Sequence, residues 1–190
     1  TPKAHLKWTR FPCNSELQRI DFGYSFYTSV LTVKLEIEED LVQFIYRKLE
    51  ITKLFDRNLV RQNQKYHFID YSFMYALIYY ISHFLNIPKN EIAILVKSRI
   101  QDGSTRKIEM TIYDNVPGGA GYVDRISKLF EIRESQLNEE TIDFFTKMKK
   151  NYEECDCKID TSCYRCLRSR INHEYHEFLR RDVIIEILKD

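Results

Sequence analysis

Four of the chain's five cysteines lie within the twelve residues CDCKIDTSCYRC at 155–166. Cys155 and Cys157 form one close pair, and Cys163 and Cys166 form the other. Two pairs of thiolates separated by a short turn can surround one metal ion, and four thiolates are a ligand set of structural zinc. The spacing therefore predicts one Zn²⁺ ion bound by Cys155, Cys157, Cys163 and Cys166.

Two other uses of these thiols stay open from spacing alone. Two disulfide bonds would join four cysteines, but residues 1–20 lack a signal-peptide pattern, and cysteine clusters in reducing compartments usually bind metal. An iron–sulfur cluster would also take four thiolates. Because four protein ligands leave no position for a reactive water, we expect a structural rather than a catalytic metal.

Two helices are expected to position the cysteine segment. Residues 138–150 start with Asn138 as a helix cap, carry acids in the first turn and end in lysines, which is typical of a helix. Residues 174–189 carry apolar side chains at helical spacing. We expect residues 151–190 to form the zinc-binding subregion of a single domain over 1–190.

The segments upstream predict an α+β fold. Alternating β-branched and aromatic residues predict a strand over 24–36, and residues 91–113 predict a hairpin. The apolar segment 69–86 predicts a helix capped by Asp70 or Ser72. We therefore expect a small mixed or antiparallel sheet covered by helices. Two further predictions are an irregular lead-in over 1–22 and an irregular or partly helical insertion over 38–66.

A glycine-rich sequence, NVPGGAGY, connects the hairpin to a predicted helix over 118–132 and contains Pro117, Gly118, Gly119 and Gly121. A strand, a glycine turn and a helix can present backbone amides to an anion. The lysine and hydroxyl of a phosphate loop are missing, however, and so is the glycine spacing of a dinucleotide fingerprint. We expect a structural loop with positive φ at one or more of these glycines, and contact with a partner is the second interpretation.

The overall charge excludes a strongly basic protein, because 29 Lys and Arg balance 28 Asp and Glu. No apolar run is long enough to span a membrane, and we expect a cytoplasmic location. Residues 158–181 nevertheless carry six basic side chains against three acidic ones, a formal charge of +3, with Tyr164 among them. This mixture suits contact with nucleic acid, and a solvated face is an equally good interpretation. The candidate contacts to nucleic acid or a partner are Arg165, Arg168 and Arg170.

A hydrolytic, nuclease-like site is the alternative function. Asp114, Asp124, His173 and His176 could in principle be gathered in one place. No spacing fixes a nucleophile beside a base, and the two histidines can instead orient the cysteine segment. We therefore expect no catalytic residues in this chain.

The motifs YDNVPGGAGYVDRI and CDCKIDTSCYRCLRSRINHEYHEFLRRD together resemble the DUF1998 family, also called the MrfA zinc-binding domain. The resemblance covers residue 23 onward. Its pattern runs through Tyr113, Asp114, Pro117, Gly118, Gly119, Gly121, the four cysteines, Asn172, His176 and Asp182.

The resemblance implies a zinc-binding accessory module that works beside a DNA motor. Such domains look like C-terminal modules of superfamily 2 helicases in DNA repair and like parts of DISARM-type anti-phage systems. The implied partners are a helicase, fused or separate, and DNA, with no membrane and no small-molecule substrate. The chain has no phosphate loop of its own, so an ATPase would have to be supplied by the helicase. A purely structural brace between domains is the remaining alternative.

Overall fold

The computed structural model describes residues 28–56, 64, 66–101, 105–130, 132–133 and 136–189. Within these ranges, a three-stranded antiparallel sheet packs with six α-helices, which confirms the predicted α+β fold. The lead-in over 1–22, residues 24–27 of the first predicted strand and the hairpin turn at 102–104 lie outside the described residues.

The sheet has its third strand in the centre. Its strands are β1 (Val30–Glu38), β2 (Ile92–Gln101) and β3 (Thr105–Asp114), in the order β1-β3-β2. The apolar side chains of β3, Ile108, Met110 and Ile112, alternate toward one face and are buried there, because successive side chains of a strand point to opposite faces. The predicted hairpin is confirmed. The first strand extends two residues further than predicted.

The helices pack on the sheet and on one another. They are α1 (Glu39–Lys48), α2 (Thr52–Asp56), α3 (His67–Leu85), α4 (Tyr122–Ser127), α5 (Glu139–Glu153) and α6 (Arg181–Ile187). Single 3-10 turns occupy Lys128–Phe130 and His173–Tyr175, and two short strands, β4 (Ile132–Arg133) and β5 (Gln136–Leu137), pair with each other. Helices α1 and α2 confirm the partly helical character of the insertion up to residue 56, whereas residues 57–63 and 65 lie outside the described residues. None of the helices among the described residues combines the length and the apolar character that crossing a bilayer requires.

Helix α3 contributes more buried residues than any other helix among the described residues, and it contacts both the sheet and α6. It begins at His67, so the prediction that Asp70 or Ser72 caps it is wrong. Asp70 lies inside the helix because its carboxylate forms a buried ion pair with Arg106 of β3. The helix ends where Asn86 takes a left-handed conformation, with φ of 55°.

The C-terminal helix is shorter than the predicted 174–189. Residues 173–175 form one 3-10 turn, and Arg180 is extended, with φ of −128° and ψ of 131°. The physical reason is a contact with α3. The buried hydroxyl of Ser72 donates to the carbonyl of Phe178 at 3.0 Å and accepts from the N–H of Arg180 at 2.9 Å. These backbone groups therefore bond across the core rather than within a helix.

Removal of this hydroxyl should destabilise the protein. We expect Ser72→Ala to lower the free energy of unfolding by roughly 1–3 kcal/mol, because a buried N–H and a buried carbonyl lose their partner. Ser82→Ala is the matched control. Its hydroxyl is equally buried but donates at 2.9 Å to Ile78, four residues earlier in the same helix, so its loss leaves the helix bonds intact. Urea unfolding measures both variants, and equal losses would contradict the bridging role of Ser72.

Candidate metal centre

The four cysteines meet directly after helix α5. Asn138 caps this helix as predicted, and its side-chain oxygen accepts the N–H of Thr141 at 2.7 Å. The sulfur pairs 155–157, 155–163 and 163–166 are each 3.7 Å apart, and the pair 157–166 is 3.8 Å apart. A zinc ion with Zn–S distances of about 2.3 Å spaces tetrahedral sulfurs about 3.8 Å apart. The sulfur positions therefore fit one zinc ion.

The same distances argue against disulfide bonds. Bonded sulfurs lie about 2.05 Å apart, and all four thiols of the cluster are free. Among the described residues, the cluster is also the only group of three or more His, Cys, Asp or Glu side chains that could hold a metal. A soft, fourfold sulfur set without a further open position is the donor chemistry of a structural site.

The second cysteine pair forms a tight turn. The carbonyl of Cys163 accepts the backbone N–H groups of Cys166, Leu167 and Arg168 at 2.9–3.1 Å. The N–H of Cys163 in turn donates to the sulfur of Cys166 at 3.0 Å. Leu167 follows directly and is fully buried in the core. The turn is thus anchored to the hydrophobic interior rather than displayed on a free loop.

The surroundings of Cys157, Cys163 and Cys166 shift the pKa values of these thiols in different directions. Burial raises the pKa of the Cys166 thiol to about 12 and also raises the pKa of Cys157. Burial acts in the same direction on Cys163, but hydrogen bonds from the backbone N–H groups of Cys166 and Arg165 prevail and lower its pKa to about 6. A metal that binds all four as thiolates must displace protons from Cys157 and Cys166, so its affinity weakens as the pH falls.

A buried asparagine joins the loop after the cysteines to α3. The side-chain N–H₂ of Asn172 donates to the carbonyl of Leu167 at 2.8 Å and to the hydroxyl of Tyr79 at 3.2 Å. Its oxygen accepts the N–H of Ser169 at 2.8 Å and lies 3.0 Å from Nε2 of His176. Every polar atom of this side chain therefore orders the loop, which is why an asparagine follows the cysteines.

The residues of the hydrolytic alternative lie in different surroundings. Nδ1 of His173 is 3.1 Å from the carbonyl of Arg170, and His176 is held by the loop. Asp124 is exposed, and its carboxylate accepts a long hydrogen bond of 3.4 Å from the hydroxyl of Ser29. Asp114 is fully buried at the end of β3. The described residues thus do not bring these side chains together as a group.

The glycine loop surrounds a carboxylate of the chain itself. Gly118, Gly119 and Gly121 have φ of 85°, 76° and 75°, which confirms the predicted positive values. The carboxylate of Asp114 accepts four backbone N–H groups at the start of α4. Their residues and distances are Ala120 at 2.8 Å, Gly121 at 2.7 Å, Tyr122 at 3.2 Å and Val123 at 3.0 Å. The helix also begins later than predicted, at Tyr122, because the glycines before it are left-handed.

The three candidate arginines differ in what they already bind. Arg165 is exposed and donates to Asp156 at 2.8 Å, and Arg170 is also exposed. Arg168 is half-buried, and its guanidinium donates to Ser162 at 3.0 Å and to Thr161 at 3.2 Å. Arg168 therefore supports the cysteine loop, whereas Arg165 and Arg170 keep most of their donors toward solvent.

The remaining arginines of the basic segment are not on the surface. Arg180 pairs with Asp182 and donates to the carbonyl of Leu49 at 3.2 Å, and Arg181 is only 3% exposed. The local charge of +3 is therefore not a surface charge. The exposed cations of this segment are Lys158, Arg165 and Arg170. Their number equals that of the exposed acids of the segment, which are Asp160, Glu174 and Glu177.

The fold and the cysteine cluster define a zinc-binding α+β domain. A family model described as the MrfA Zn-binding domain matches residues 73–167, which is half of the chain and includes all four cysteines. The chain belongs to this family, so the DUF1998 resemblance is confirmed. The match also supports structural zinc as the metal.

One solved structure is similar over part of its length. The crystal structure of the DUF1998 helicase MrfA bound to DNA shares 15% sequence identity with this chain, at a TM-score of 0.42. The similarity covers 68% of the present chain and 15% of that helicase chain, so the present chain spans a small part of its length. No curated protein matches the sequence.

Proposed function

We propose that this chain is a non-catalytic, zinc-binding accessory module of a DNA helicase, with Cys155, Cys157, Cys163 and Cys166 as the ligands of one structural Zn²⁺ ion. The observation that carries the proposal is the set of four sulfurs at 3.7–3.8 Å in a chain of the MrfA Zn-binding domain family. The ion would fix a loop that has almost no regular secondary structure between α5 and α6.

The link to a helicase rests on the family, and MrfA itself is described as a helicase bound to DNA. We propose that the motor is supplied by that helicase, either in the same polypeptide or as a separate subunit. The buried state of Asp114 and Asn172 supports a role without catalysis, because both side chains are used in holding loops. DNA repair and anti-phage defence are the proposed biological settings, on the strength of the DUF1998 resemblance.

The proposed contact surface consists of Arg165, Arg170 and Tyr164, whereas Arg168, the third candidate arginine, supports the loop beneath them through Ser162 and Thr161. The ring of Tyr164 is 64% exposed, within the tight turn of the second cysteine pair. It meets the ring of His176 edge-on at 5.6 Å, and His176 is itself fixed to Ser169. An exposed aromatic ring on a loop that zinc would hold rigid, beside two arginines, suits stacking on a base next to phosphate contacts.

The double variant Arg165→Gln and Arg170→Gln should weaken DNA binding by the complete helicase or complex. We expect the slope of log affinity against log salt to fall by about two units for duplex DNA, because each lost phosphate contact releases about one counterion fewer. Arg168 is left unchanged, because its guanidinium supports the loop. Fluorescence anisotropy at several salt concentrations measures the slope, and metal analysis verifies that zinc is retained.

Lys147→Gln is the matched control for this experiment. Lys147 is exposed and paired with Asp143 at 2.6 Å, much as Arg165 is paired with Asp156, but it lies on α5 away from the cysteine loop. Its loss should leave the slope within about half a unit. An unchanged affinity and salt slope in the double variant would show that the arginines are merely solvated. Docking of a partner protein would then become the leading function of the module.

A further inference from the structure

Arg181 is a buried cation without an acidic partner. Its side chain opens helix α6 and is 3% exposed, and none of the carboxylates among the described residues lies within ion-pair distance of it. Its buried Nε atom also has no hydrogen-bond partner among the residues that the structure describes. A second buried arginine, Arg106, pairs with Asp70 in two hydrogen bonds. A buried charge without a countercharge lowers the stability of a protein by several kcal/mol. The burial of Arg181 therefore requires an explanation.

The guanidinium of Arg181 binds the backbone before the first cysteine pair and at the second cysteine of that pair. Nη1 donates to the carbonyl of Tyr152 at 2.6 Å, at the end of α5, and Nη2 donates to the carbonyl of Cys157. The backbone N–H of Arg181 donates to the carbonyl of Thr161 at 3.1 Å, between the two cysteine pairs. The charge is thus held against the loop that carries the four sulfurs.

Four thiolates and one Zn²⁺ ion carry a formal charge of about −2. Exposed cations compensate such a charge weakly, because water screens them. Arg165 is of this kind, since its side chain is 71% exposed and already paired with Asp156. The charge of Lys89 also interacts with Cys166 and Cys163, but its side chain is exposed and its ammonium lies 4.2 Å from the centre of the Tyr79 ring. Arg181 is therefore the cation beside this loop that water screens least.

We infer that Arg181 is the buried countercharge of the zinc–thiolate centre and makes zinc occupancy a condition for the packing of α5 and α6. The inference rests on the zinc site proposed above. With zinc bound, the negative centre compensates the guanidinium. Without the metal the loop is no longer held in place, so the carbonyls of Cys157 and Thr161 that fix Arg181 lose their positions, and the first turn of α6 should loosen.

Zinc affinity in two Arg181 variants separates charge from tethering. Arg181→Lys keeps the positive charge but loses the planar fork that joins two carbonyls, and Arg181→Gln keeps a donor but loses the charge. We expect Arg181→Gln to bind zinc roughly 10- to 100-fold more weakly than the wild type, the range seen for groups that support metal ligands. Arg181→Lys should bind clearly more tightly than Arg181→Gln. Competition with a chromogenic chelator measures all affinities.

Lys158→Gln is the matched control, because Lys158 follows Cys157 directly but is exposed. Its zinc affinity should stay within about twofold of the wild type, as expected for a screened charge. Wild-type protein without zinc would contradict the metal site itself. Wild-type affinity in Arg181→Gln, or equal losses in both Arg181 variants, would contradict the countercharge alone.

A second measurement applies if Arg181→Gln does not fold. Hydrogen exchange of the wild type is compared with and without zinc over 152–157 and 181–187. The inference requires faster exchange in the first turn of α6 once the metal is removed. Unchanged exchange in that turn, together with zinc loss from the cluster, would overturn it.

Discussion

Replacing Cys166 by serine should remove zinc from the protein and cost it most of its stability. Cys166 is the most deeply buried of the four cysteines, at 7% exposure. Structural zinc contributes roughly 10–16 kcal/mol to the folding of isolated zinc-finger peptides, which exceeds the net stability of about 5–15 kcal/mol of a typical domain. We expect metal analysis to fall from one zinc per chain to nearly none, and thermal unfolding to lose its sharp transition.

Hydrogen exchange after chelation should show where the loss begins. Protection should disappear first over 155–180, where few regular elements hold the backbone, and next in the first turns of α3, whose aromatic rings pack against Phe178. Cys13→Ser is the control, because it removes the only cysteine outside the cluster and should leave one zinc per chain. Full zinc content in Cys166→Ser would contradict the ligand assignment.

The second large effect is expected at Asp114. Its carboxylate accepts four backbone N–H groups, and the residue is fully buried. Asp114→Ala would leave these donors without an acceptor in the interior, which should lower the free energy of unfolding by roughly 3–5 kcal/mol. Asp114→Asn should lower the free energy of unfolding somewhat less, because one acceptor oxygen remains. It should still destabilise the loop, because its N–H₂ group would point at the loop's own N–H donors. Urea unfolding, with zinc content measured in parallel, tests both.

Asp124→Asn is the matched control for Asp114→Asn. Asp124 lies in the first turn of α4, whose first N–H groups Asp114 binds. It is exposed, however, and its hydrogen bond with Ser29 is 3.4 Å long. Its replacement should change the free energy of unfolding by no more than about 0.5 kcal/mol. A loss below about 1 kcal/mol in Asp114→Ala would mean that the loop does not depend on its internal carboxylate.

The features that the sequence predicted well depend on short stretches of chain. Four cysteines within twelve residues can meet whatever the rest of the chain does, so their spacing indicated a common site. The left-handed glycines were predictable for the same reason, because only local sterics decide φ. The cap at Asn138 also depends on residues one turn away.

The features that the sequence did not reveal depend on contacts across the chain. Arg181 reads as a surface cation in an arginine-rich segment, and only the fold buries it against Tyr152 and Cys157. Ser72 resembles a helix cap, although its partners are 106 and 108 residues away. Asp114 offered a weak signal, because a lone acid directly before a loop of amides could have been recognised as that loop's own anion.

The contact between Ser72 and residues 178–180 has a consequence for the order of events during synthesis. Helix α3 is apolar on nearly every side, and one of its sides is covered by α6. On the ribosome, more than 100 further residues must be translated before that cover exists. A nascent chain therefore exposes its most hydrophobic helix for about 5–20 seconds at translation rates of about 5–20 residues per second. Chaperone capture of the growing polypeptide, or its aggregation, competes with folding in that interval.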